Sequence, residues 1–136
     1  MNAATILVVD DHPINLSLIG EILEFEGYIV LKAADAEVAQ SMLKRLVPDL
    51  ILMDIALPGM DGLTLTRLLK TDERTRRIPI VALTAFAMKG DDQKVLQAGC
   101  DGYLTKPIDT RALPALVARW IESRTGNDSP NTDSPP

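Results

Sequence analysis

Five residues whose side chains can do chemistry stand at the ends of short apolar runs. Asp10 and Asp11 follow "TILVV", Asp54 follows "LILM", Thr84 closes "IPIVALT" and Lys106 follows "GYLT". Three carboxylates, a hydroxyl and an amine form a coherent set if they meet. Carboxylates held together repel, so a cation must sit among them or their proton affinities rise. Oxygen donors alone favour magnesium or calcium over zinc. With an amine and a hydroxyl added, such a site could neutralise a phosphoryl group in transfer. A central carboxylate could itself be the nucleophile, giving an acyl phosphate. Each residue also has a plainer use. Asp10 or Asp11 could cap a helix, Thr84 could bond backbone, and Lys106 could lie in a solvated loop. Asp54 is the hardest to explain away, because an acid directly after four apolar residues carries a desolvation cost.

For the five to meet, the runs that carry them must be parallel strands that end at one edge. The sequence supports this. Strands are expected at "TILVVDD", "YIVLKA", "LILMD", "IPIVALT" and "GYLTKP". Between and after them come amphipathic segments expected to be helical: "PINLSLIGEILEFEG", "AEVAQSMLKRL", "GLTLTRLLK", "KGDDQKVLQAG" and "DTRALPALVARWIES". Pro13 suits a first helical turn, Gly27 and Gly99 suit helix ends, and Asp109 is the expected N-cap of the last helix. Pro114, within two turns of that start, should make the helix slightly irregular. Alternating strands and helices imply an α/β fold with a parallel sheet covered on both faces. Strands buried on both faces should be continuously apolar, as "ILVV", "LILM" and "IVAL" are. In an open sheet of this kind, ligands bind beyond the carboxyl ends of the strands. Leu113, Leu116, Val117, Trp120 and Ile121 form the core stripe of the last helix.

The chain has 136 residues, 46% hydrophobic and 24% charged, with a net charge of -5. This suits one domain, expected over residues 1–124, with a disordered tail from Thr125 that holds no apolar residue. The acidic balance argues against a nucleic-acid partner, since no basic stripe is present. Arg74, Arg76 and Arg77 follow Asp72 and Glu73 and read as a solvated loop. One cysteine, Cys100, excludes an internal disulfide. No run approaches a membrane span, and the N-terminus reaches acids before it could form a signal-peptide core. A cytoplasmic location with no membrane partner is expected.

With these residues in view, the chain resembles the receiver domains of two-component response regulators, the CheY-like family. The resemblance runs from about Thr5 to Ser123 and rests on "VVDD", "DLILMDIALPGMDG", "ALTAFAMKGD" and "GYLTKPI". It is most similar to single-domain DivK-like regulators. It implies a doubly wound (βα)5 fold, flavodoxin/CheY-like, with strand order 2-1-3-4-5. It implies Asp54 as phosphoacceptor, with Lys106 binding the phosphoryl group and Thr84 and Tyr103 as switch residues. It implies magnesium held by Asp11, Asp54 and the Ala56 carbonyl, with Asp10 acting through water. The Lys106–Pro107 bond is commonly cis in such proteins. The partners implied are a histidine kinase or histidine phosphotransfer protein and a downstream protein target. The chain itself is expected to be a monomer or weak dimer and a phosphoacceptor that catalyses its own phosphorylation and dephosphorylation, not a turnover enzyme.

Some expectations go further. Ala56 and Phe86, two residues after Asp54 and Thr84, offer no side chain to orient a water, so self-dephosphorylation should be slow. In the first helix, Ile14, Leu18, Ile22 and Phe25 share one face, and Leu16 and Leu23 lie on another side with Ile19 between. Leu16 and Ile19 are candidate partner contacts, as are Met88, Lys89 and Tyr103. His12 is expected in the loop before the first helix. Two alternatives are a receiver module cut from a hybrid kinase or larger regulator, and an aspartyl-phosphate hydrolase. Such hydrolases usually carry a second acid where Ala56 stands. A flavodoxin-like carrier fits less well, because "DDHPIN" would repel a phosphate.

Overall fold

The three strands richest in aliphatic residues are the three that the fold buries from both sides. In a computed structural model of the chain, residues 3–85 and 91–125 are described. The elements are β1 (Thr5–Val9), α1 (Pro13–Phe25), β2 (Ile29–Ala33), α2 (Ala36–Leu43), β3 (Leu50–Asp54), α3 (Gly62–Thr71), β4 (Ile80–Thr84), α4 (Asp91–Gln97), β5 (Gly102–Thr105) and α5 (Leu113–Thr125). The strands form one parallel sheet in the order β2-β1-β3-β4-β5, as the resemblance implies. Every residue of β3 and β4 is buried, as parallel pairing under helices requires. β2 and β5 lie at the edges, are partly exposed, and carry the less apolar sequences.

Side chains alternate between the faces, and the core is correspondingly double. Leu7, Val9, Ile51, Met53 and Ala82 pack with Ala39, Leu65 and Val95 of α2, α3 and α4. Ile6, Val8, Leu52 and Leu83 pack with Ile19 and Leu23 of α1 and with Leu113 and Val117 of α5. Trp120 belongs to this second core, and Gly102 makes room for it: a Cβ there would lie 2.6 Å from the indole. Gly27 and Gly99 have φ of 98° and 110°, the left-handed conformation that lets glycine close α1 and α4.

Three expectations need correction. The last helix begins at Leu113, not at Asp109. The Asp109 carboxylate still accepts the Arg111 and Ala112 amides at 3.0 and 3.3 Å, but it closes the turn before the helix. Pro114 is then the second helical residue, where its missing N–H costs nothing. α2 stops at Leu43 rather than Leu46, where Arg74 Nη1 donates to the Leu43 carbonyl at 2.9 Å. The buried face of α1 runs through Leu16, Ile19 and Leu23, while Ile14, Leu18 and Phe25 are 80%, 43% and 87% exposed. α5 extends to Thr125; the expected tail after it, and Phe86, Met88 and Lys89, lie outside the described residues.

Candidate functional site

Register decides what the strand ends bring together. Val9 pairs with Met53, so the next residues, Asp10 and Asp54, stand level on adjacent strands. Asp54 pairs with Leu83, and Thr84 with Thr105. Thr84 is therefore one residue beyond Asp54 on its neighbour, and Lys106 one beyond that. The Thr84 carbonyl accepts the Lys106 amide at 2.8 Å, extending the ladder to the lysine.

Each acid is fixed by the chain two residues on. The Asp54 Oδ1 accepts the Ala56 N–H at 3.0 Å, and the Asp10 Oδ1 accepts the His12 N–H at 2.9 Å. These are Asx turns, the usual local bond of an acid leaving a strand. The second oxygens face Lys106. Its Nζ lies 3.1 Å from Asp54 Oδ2 and 3.7 Å from Asp10 Oδ2. Lys106 donates a hydrogen bond to Asp54, whereas Asp10 Oδ2 is buried with no hydrogen-bond partner. Burial pushes the Asp10 carboxyl above its ordinary range, and the neighbouring Asp54 carboxylate adds to this. The His12 amide and Lys106 oppose it. One lysine thus serves two nearly solvent-free acids, and the pair retains unmet negative charge.

Asp11 is exposed, and its carboxylate lies with an Asp10 oxygen and a His12 ring nitrogen within 4.8 Å of one another. A buried, unpartnered carboxylate oxygen beside further oxygen donors suits a hard divalent cation. Gly62 sets the position of Asp54 from behind. Its amide donates to the Ile55 carbonyl at 3.2 Å. A Cβ on Gly62 would collide with the Asp54 carbonyl and lie 2.7 Å from the Ile55 Cα.

A family model described as the response regulator receiver domain matches residues 6–118. The chain belongs to this family. As a receiver domain it is part of two-component signalling. It is 40% identical to the polar-differentiation response regulator DivK of Brucella ovis over 119 residues, 88% of this chain and 91% of that protein. The receiver domain of the sensor histidine kinase PA1611 from Pseudomonas aeruginosa, solved with magnesium coordinated in its active-site cleft, is 42% identical. That match covers 90% of this chain and all of the other, with a TM-score of 0.82. The chemotaxis response regulator CheY4 of Vibrio cholerae is 26% identical, covering 88% of this chain and 99% of the other, with a TM-score of 0.82.

Within the receiver, Asp10, Asp54 and Lys106 are in direct reach of one another, with Thr84 buried at the neighbouring strand end. Tyr103 lies one strand further out on β5 and is 40% exposed. Ala56 contributes its N–H to Asp54, a contact that sequence reasoning missed by looking to its carbonyl. The signal was present, since an Asp at a strand end commonly bonds the amide two residues on. His12 is exposed and occupies the N-cap position of α1, without a side-chain capping bond. Lys106–Pro107 is cis. Ile19 is 2% exposed and is a core residue that also lines the groove beside Lys106. Leu16 is half-buried against the same core. The apolar residues that α1 does expose near the site are Ile14 and Leu18. A groove of about 400 Å³ runs from Asn15 and Leu18 to Lys106, Pro107 and Ile108.

Proposed function

We propose that this receiver accepts a phosphoryl group on Asp54 from a phosphohistidine, in a magnesium-dependent reaction, and signals through the resulting change of surface. The observation that carries the reading is the Asp54 carboxylate. It is 2% exposed, fixed by the Ala56 amide and Lys106, and set beside an acid whose second oxygen is unmet. An Asp54 oxygen attacks phosphorus, the P–N bond to the donor imidazole breaks, and the imidazole leaves with that electron pair and takes a proton. The product is an acyl phosphate. Lys106 holds Asp54 before transfer and can turn to a phosphoryl oxygen after it. Thr84 supplies a hydroxyl donor at the adjacent strand end, and Tyr103 follows it on β5 as the switch aromatic. Asp10, Asp11, Asp54 and the Ala56 carbonyl would hold magnesium, which when bound supplies positive charge opposite the phosphoryl oxygens.

The donor's helices would dock on the exposed Ile14 and Leu18 of α1 and the groove beside Lys106, a helix-to-groove mode. We place the reaction in the cytoplasm. Among the described residues no helix is long and apolar enough to cross a membrane. The test uses wild type and Asp54→Asn with magnesium and either acetyl phosphate or a phosphorylated histidine kinase. Label on the wild type alone is expected, and absence of label under every donor refutes the reading. Leu18→Asp should slow transfer from the kinase yet spare labelling by acetyl phosphate. Equal loss with both donors refutes docking at α1.

A further inference from the structure

Two loops at the edge of the sheet opposite Asp54 carry cations that make no ion pair with a carboxylate among the described residues. Lys44 and Arg45 follow α2, and Arg74, Arg76 and Arg77 lie in the turn between α3 and β4. These loops lead into β3 and β4, so they flank the amino ends of the strands whose carboxyl ends form the site. The bond from Arg74 Nη1 to the Leu43 carbonyl, at 2.9 Å, seats Lys44 and Arg45 beside the 74–77 turn. The turn is well fixed. The Asp72 carboxylate accepts the Arg74 amide at 2.8 Å, and the Thr75 hydroxyl donates to the Leu69 carbonyl at 2.7 Å. Lys70 Nζ donates to the Arg76 and Ile78 carbonyls at 3.2 and 2.8 Å. All five cations are exposed. None makes an ion pair with a carboxylate among the described residues. Five of the chain's 14 basic residues thus gather at one edge, although the net charge is -5. Val47, 43% exposed, adds an apolar contact in the same loop.

We propose that this edge is a docking surface for an acidic, extended segment of a partner protein. Four of the five cations are arginines, whose forked donors match carboxylates in pairs. The acids around the patch select among anionic partners. Asp72 and Glu73 border it, and Glu24 and Glu26 at the end of α1 lie at the same edge of the sheet. A bilayer or a nucleic-acid duplex is broad enough to meet these acids together with the cations, and the chain's overall charge opposes both. A single strand of carboxylates meets the cations alone. Because the turn that carries the arginines is already tied down, little backbone ordering is required on binding.

The experiment uses the full chain and a fluorescein-labelled oligo-glutamate peptide, read by fluorescence anisotropy, with an oligo-lysine peptide as control. Saturable binding of the acidic peptide is expected. It should weaken as salt is raised and the screening length falls to about 8 Å near physiological strength. Arg45→Glu/Arg77→Glu should lower the affinity by roughly tenfold or more, since like charges then face each other. Arg45→Lys/Arg77→Lys, which keeps the charge but not the fork, should lower it less than the charge reversal does. Circular dichroism melting checks that each variant is folded, and Lys44→Glu/Arg76→Glu probes the same patch independently. Unchanged peptide affinity in both charge reversals overturns the surface. If phosphatidylglycerol vesicles or duplex DNA bind as tightly as the peptide, with the same sensitivity to Arg45→Glu/Arg77→Glu, the partner class is overturned. Labelling of Asp54 by acetyl phosphate is expected to be unaffected.

Discussion

Replacing Asp10 with Asn should make the folded chain more stable and less responsive to magnesium. Asp10 is fully buried, and one of its oxygens has no hydrogen-bond partner. Its nearest cation, Lys106 at 3.7 Å, sits closer to Asp54 at 3.1 Å. Burial and the Asp54 carboxylate hold the Asp10 carboxyl above its ordinary value of 3.8. A carboxyl with a raised folded-state pKa binds its proton more tightly in the fold. Its favourable contribution is complete below the unfolded value and is lost as pH rises through the folded one. At neutral pH, above the unfolded value, the fold therefore carries a cost at this poorly partnered acid. Asparagine keeps the oxygen that accepts the His12 amide, removes the charge, and offers an N–H to Asp54. A buried polar group without a partner costs about 1–3 kcal/mol. At roughly 4 °C per kcal/mol for a chain of this size, the Tm should rise by about 4–12 °C. The assay is thermal unfolding at pH 7 in chelator, repeated across a magnesium titration. A ligand that binds only the folded state adds about 2.7 kcal/mol at a hundredfold excess over its Kd. The wild type should gain on that scale, and Asp10→Asn less. The advantage of the variant should shrink as pH falls into the carboxylate range, where Asp10 itself becomes protonated. If Asp10→Asn melts at or below the wild type at pH 7 without metal, the acids are not in electrostatic conflict and the reasoning fails.

Gly62→Ala should cost about 1–3 kcal/mol, the usual effect of overpacking, and slow labelling of Asp54, because the added carbon presses on the Asp54 and Ile55 backbone. Urea denaturation and acetyl phosphate kinetics read the two effects, and stability within experimental error of wild type would show that the backbone yields freely. The orientation of α1 is tested by a pair. Ile19→Ala should cost about 2–5 kcal/mol as a core truncation, whereas Phe25→Ala should stay within about 0.5 kcal/mol, as exposed substitutions do.

The central strands were legible because burial on both faces leaves one solution for "LILMD": an unbroken apolar run that ends where the sheet ends. The site was legible for the same reason, since Asp54 is an acid at a point where the pattern allows none without a use. What the sequence hid lay in the backbone. The close approach of Gly62 leaves little mark on residue type, and the Ala56 and His12 amides that fix the two acids are signalled only by the turn-forming tendency of the acids themselves. α1 shows a different failure. Ile14, Leu16, Leu18, Ile19, Ile22, Leu23 and Phe25 satisfy helical spacing along more than one line, so periodicity alone cannot say which line faces the sheet. Packing against Val8 and Leu52 selects the line through Ile19 and Leu23. The apolar excess is then left outside, at Ile14, Leu18 and Phe25. A helix needs one apolar stripe to hold its place on a sheet. A second one lowers solubility unless something covers it. In α1 that second stripe begins beside Lys106 and the groove at Pro107. It therefore lies on the side from which the proposed phosphoryl donor would come.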